Sequence, residues 1–142
     1  LLFLYGHAFS VFRLQEILFL PPPTVENRMA GDHLLLMADS AEGKVFSEDP
    51  IFPILARRPV YYQPFIMTRL AQERGIEPTQ LLEDLRAGEF SLVLATQDVE
   101  RDKAVVGLTP EMKSLIAEQF ELTEVVPLYG NRVFYVYRQE EK

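Results

Sequence analysis

Three consecutive prolines, Pro21-Pro22-Pro23, constrain this chain more than any other feature. Proline fixes φ, lacks an N–H donor and cannot continue a helix, so a triplet favours an extended spacer. The triplet also separates two compositions. Residues 1–20 hold 14 apolar side chains and only two charges, Arg13 and Glu16. The remainder therefore carries the whole net charge of −7 in a chain that is 48% hydrophobic as a whole. We read 1–20 as an apolar helix, 21–23 as a Pro-rich linker and 24–142 as one soluble α/β domain. A body of about 120 residues is long enough to bury a single core.

The apolar segment admits two readings. A spanning helix needs about 20 consecutive apolar residues, and here His7, Arg13, Gln15 and Glu16 interrupt the run at scattered helical angles. It is either the end of a transmembrane helix begun upstream, leaving the bilayer near Arg13, or a helix that packs on the body. A cleavable signal peptide fits poorly, because no basic stretch precedes the apolar part. The chain begins with Leu rather than Met, which points to a piece of a longer protein. Its acidity argues against nucleic acid as a partner, since phosphate recognition needs a clustered basic face. Zero cysteines exclude disulfides, thiolate catalysis and Cys-based metal sites.

Periodicity orders the body. Thr24 caps a helix in which Val25, Met29, Ala30, Leu34, Met37, Ala38 and Ala41 recur inward, with Gly43 as its stop. A strand follows over 44–47, then a short helix over 51–57 with Asp49 as cap and Pro50 as first residue. Residues 60–62 read as extended, and 64–74 as a second long helix. Glu77-Pro78-Thr79 opens another helix, with Leu81, Leu82 and Leu85 inward and Gly88 beyond its end. The apolar run 91–96 has the pattern of a strand buried on both faces. After a charged loop, 97–108, Thr109-Pro110-Glu111 starts the last helix, with Met112, Leu115, Ile116 and Phe120 inward. Strands 121–128 and 132–138 flank a turn at Tyr129-Gly130-Asn131. This alternation predicts a small three-layer, Rossmann-like domain with a mostly parallel sheet and an antiparallel C-terminal hairpin at one edge.

The familiar catalytic signatures are missing. No G-x-G-x-x-G, Walker loop, G-x-S-x-G or H-E-x-x-H occurs. His7 and His33 lie far from the strand ends. In open α/β sheets, ligands sit beyond the carboxyl ends of parallel strands, which places Ser47, Glu48 and Asp49 beside Thr96, Gln97 and Asp98 as a candidate crevice. Carboxylates converging there would hold a cation or raise one another's pKa. In the alternative, Asp49 caps its helix, Glu48 is solvated, Asp98 opens a loop, and Arg57 and Arg58 answer them as ion pairs. Tyr61, Tyr62, Tyr129, Tyr135 and Tyr137 suit either a sugar-stacking surface or cross-strand packing. No catalytic, cofactor-binding or metal-ligating set emerges from the residues alone.

The order of segments resembles the C-terminal soluble tail of bacterial GT-C type membrane glycosyltransferases. It runs from the apolar exit and PPPTVENRMAGDHLLLMADSAEG through VFSEDPIFPILARRPVYYQPFIMTRLA and ERGIEPTQLLEDLRAGEFSLVLATQDVER. It ends with TPEMKSLIAEQFELTEV and YGNRVFYVYR. The most specific stretch is Ser47-Glu48-Asp49-Pro50 followed by Arg58-Pro59 and Pro64-Phe65. The resemblance implies a domain on the extracytoplasmic side of the bacterial plasma membrane, against the transmembrane helices of its own parent chain and the membrane surface. It implies a polyprenyl-phosphate sugar donor for the parent, with a divalent metal as an option, and puts the catalytic carboxylate in an upstream loop outside this chain. The expected role is thus a non-catalytic accessory domain. The alternatives are a free-standing module binding a nucleotide or sugar, and a small metal-dependent enzyme built on Glu48, Asp49 and Asp98.

Overall fold

The computed structural model describes residues 22–63, 66, 67, 70, 73–75, 78–101 and 107–139. The expected helix over 1–20 lies outside these residues, as do Pro21 and part of the loop before Gly107. Of the expected helix over 64–74, the described residues 66, 67, 70, 73 and 74 are helical. No helix among the described residues is long and apolar enough to cross a membrane.

Helix α1, Val25–Ser40, starts where the linker ends. Thr24 Oγ1 accepts from the Asn27 N–H at 3.3 Å, and Asn27 Oδ1 accepts from the Thr24 N–H at 2.9 Å. This reciprocal capping box satisfies two of the donors that a helix start leaves orphaned. At the other end Ala41 leaves the helix in an extended conformation, so Gly43 is not the left-handed stop that was expected. Gly43 is instead a point of close approach: a Cβ there would meet the Ser91 side chain at 3.1 Å, and its N–H donates to Ser91 Oγ at 3.0 Å.

Strand β1, Lys44–Ser47, runs parallel to β2, Phe90–Ala95, with Ser47 opposite Leu94. Between them lie α2, Ile51–Leu55, and α3, Thr79–Arg86. Helix α4, Pro110–Gln119, is capped by the Thr109 hydroxyl, which accepts from the Met112 N–H at 3.3 Å. It passes directly into β3, Phe120–Pro127, and a tight turn at Tyr129–Asn131, with Gly130 in the left-handed region at φ +70°, leads to β4, Val133–Gln139. The strand order is β1-β2-β4-β3, with β4 antiparallel to both neighbours. The fold is therefore α/β with a C-terminal hairpin at one edge. The expectation of a mostly parallel sheet is corrected: the sheet is mixed, and among the described residues β1–β2 is its single parallel pair. The reason is that β4 returns from a short turn and inserts between β2 and β3, which only an antiparallel strand can do over so short a connection.

Strand alternation sends side chains to two cores. Phe46, Val93, Ala95 and Tyr137 face Leu81, Leu82, Leu85, Met112 and Ile116 from α3 and α4. Val45, Leu92, Leu94, Phe134 and Val136 face Leu34, Ala38, Phe52 and Ala56 from α1 and α2. The central strand β2 is thus apolar on successive residues because both of its faces are covered. Val25 and Met29, expected inward, are outward and largely exposed.

Candidate functional site

The carboxyl ends of β1 and β2 do lie side by side, and the Glu48 N–H donates to the Leu94 carbonyl at 3.0 Å, extending the parallel ladder by one step. The Glu48 side chain then turns inward rather than into solvent. Its Oε2 accepts from the Thr96 N–H at 2.5 Å and the Thr96 hydroxyl at 2.9 Å, and its Oε1 accepts from Gln97 Nε2 at 3.0 Å. Gly107 presses on the same carboxylate: its φ is +92°, and a Cβ would collide with Glu48 Oε1. Tyr62 anchors Gly107 by donating its hydroxyl to the Gly107 carbonyl at 2.8 Å. Only 7% of Glu48 is exposed, so the expectation of a solvated carboxylate is corrected. Burial pushes its pKa up, against the opposing pull of the Thr96 and Gln97 hydrogen bonds and the Lys113 charge.

The remaining predicted residues have separate tasks. Ser47 Oγ donates to the Asp49 carbonyl at 2.7 Å. Asp49 accepts from the Ile51 N–H at 3.0 Å, supporting the start of α2, and from Arg132 at 2.6 Å. Asp98 accepts from the N–H groups of Glu100 and Arg101 at 3.1 and 3.3 Å, closing its own turn. Arg58 is not at this end. It donates to the carbonyls of Asp39, Ala41 and Gly43, the first at 2.8 Å and the last at 2.9 Å, ahead of β1. Its charge satisfies the carbonyls that the end of α1 leaves open. So the structure brings Glu48, Thr96 and Gln97 together, turns Asp49 and Asp98 to other partners, and moves Arg58 to the far end of the strand. Among the described residues no group of three or more His, Asp or Glu is placed to hold a metal.

An open cavity lies at that far end, where the strands begin. It measures about 410 Å³ and is lined by Glu42, Lys44, Arg58, Pro59, Tyr61 and Glu89, among others. Lys44 Nζ lies 2.7 Å from Asp84 Oδ2, and it also pairs with Glu89. The side-chain hydrogen bonds to Asp84 and Glu89 raise the Lys44 pKa, while Lys44 and Gln80 lower that of Asp84. The ammonium sits 5.3 Å from the Tyr61 ring centroid, and Tyr61 stands edge-on to Phe90 at 5.4 Å. A shallow cleft with a half-exposed ring, carboxylates and a guanidinium has the chemistry to stack and hydrogen-bond a small polar ring. Sequence reasoning missed it by following the rule that ligands sit at carboxyl strand ends. The available signal was Lys44 and Glu89, charges placed just where two apolar strands begin.

No protein-family model, no curated protein and no solved structure matches this chain.

Proposed function

We propose that this chain is the non-catalytic C-terminal accessory domain of a bacterial membrane glycosyltransferase that transfers sugar from a lipid-linked donor. The observation that carries the reading is the junction at Pro21-Pro22-Pro23, where only these prolines and the cap Thr24 separate an apolar, nearly uncharged segment from α1. A stiff spacer of this kind sets an acidic folded unit at a fixed short distance from an apolar one. The strand-end carboxylates support a non-catalytic role, because Glu48, Asp49 and Asp98 are each engaged in holding local backbone or side chains. The parallel β1–β2 pair with its long crossover is the unit from which Rossmann-like folds are built, and we read the domain as a reduced member of that group. On this reading the domain sits extracytoplasmically against the transmembrane helices of its parent, and the donor and any divalent metal bind upstream. The test is the complete reading frame. It should encode roughly eight to twelve hydrophobic spans upstream and should fractionate with membranes. A start codon directly before Leu1, with the product in the soluble fraction, contradicts the proposal.

The cavity at the strand starts favours a second reading, a sugar- or nucleotide-binding module. A thermal-shift screen with nucleotide sugars and simple glycans decides it: stabilisation by one of them that Tyr61→Ala removes supports binding, and none rejects it.

A further inference from the structure

Helix α1 is apolar on two opposite faces. Leu34 and Ala38 are fully buried against the sheet. On the other side, Val25, Met29 and Leu36 are 71%, 65% and 63% exposed. At 100° per residue these three fall within an arc of about 40°, one stripe running some 17 Å along the helix. An outward stripe of large apolar side chains on a helix already buried on its other face marks a surface that something covers.

We infer that the stripe is the docking surface for the apolar segment of this same chain that precedes Pro21. Linker length supports that occupant. Three prolines in extended form span about 9 Å, which matches the 8–10 Å separation of two packed helices. A three-residue connection is also within the usual range between antiparallel helices. The segment has the complementary pattern: Val11, Leu14 and Leu18 recur at i, i+3 and i+7, with Arg13 and Glu16 off that stripe. Folding back about the linker sets Leu18 beside Val25 and Leu14 beside Met29. A bilayer suits the stripe less well. Asp32 is exposed and lies between Met29 and Leu36 on the same face, so lipid would have to bury its carboxylate. The inference takes the packed-helix reading of residues 1–20, so under the glycosyltransferase proposal the membrane spans of the parent lie upstream of that segment.

The chain has no cysteine, so engineered pairs report cleanly. In the full chain, Leu14→Cys with Met29→Cys, and separately Leu18→Cys with Val25→Cys, should form an intramolecular disulfide under mild oxidation. Leu14→Cys with Glu83→Cys, whose second site is exposed on α3 beyond the opposite sheet face, should stay reduced. An environment-sensitive dye on Leu36→Cys serves as a second readout and should be blue-shifted without lipid. Failure of both pairs in variants that still melt cooperatively overturns the inference. So does a dye shift that needs phosphatidylethanolamine–phosphatidylglycerol vesicles, which assigns the stripe to the bilayer. A disulfide that is intermolecular and concentration-dependent also overturns it, and assigns the stripe to a second copy.

Discussion

Glu48 and Asp84 are two nearly buried carboxyl groups near opposite ends of the β1–β2 pair, and their environments shift them in opposite directions. A free Glu side chain titrates near pH 4.3; burial holds Glu48 above that. The folded state then binds the extra proton between the two values, so the contribution of Glu48 is complete below pH ~4.3 and is lost as pH rises through the folded pKa. Asp84, depressed by Lys44 and then Gln80, contributes above its unfolded value near 3.9 and loses that contribution as pH falls through the folded one. Urea unfolding of Glu48→Gln should therefore show a stability gain over the parent that grows from pH 4 to pH 7; a pH-independent difference contradicts the assignment. Glu48→Ala should cost about 1–3 kcal/mol at neutral pH, because the Thr96 N–H and the Gln97 amide lose their acceptor. Tyr137 is a parallel case. Its hydroxyl accepts from the Val99 N–H at 3.0 Å, and burial raises its pKa to about 12. Tyr137→Phe should cost about 1–3 kcal/mol by denaturant unfolding, since the Val99 donor is left buried.

At the scale of elements, what was legible in the sequence was local. Thr24 and Thr109 announce their helices because a capping hydroxyl acts within three residues, and both make the expected bond. Thr24→Ala should cost about 1 kcal/mol, read as a shift in denaturant midpoint at unchanged slope. Strand β2 was legible because being covered on both faces leaves a continuous apolar run. The inward face of α1 was only half legible: a helix apolar on two sides offers two solutions to the same periodicity, and Val25 and Met29 take the outer one. Arg58 was placed wrongly because charge suggests carboxylate partners, while the end of α1 offers it three carbonyls instead. Arg58→Ala should cost about 1.5–3 kcal/mol. Arg58→Lys should recover only part of it, since one ammonium cannot reproduce the planar fork.

For the molecule as a whole, the sheet order and the fate of the strand-end carboxylates depend on contacts that no local pattern encodes. Glu48 meets Thr96 across 48 positions of sequence, and β4 enters the sheet between β2 and β3. The carboxyl ends of β1 and β2 fall at Ser47 and Ala95, but no local pattern says which of the side chains beyond them turn inward. The role proposed for this unit is to support a reaction carried out elsewhere in its parent. The most direct measurement is transfer from a polyprenyl-phosphate sugar by membranes carrying the complete parent protein, with Glu48→Gln, Asp49→Asn and Asp98→Asn introduced together. A folded triple variant should keep its turnover within a few-fold of the parent's. A loss of about 100-fold or more, the scale on which a general acid or base contributes, would contradict it.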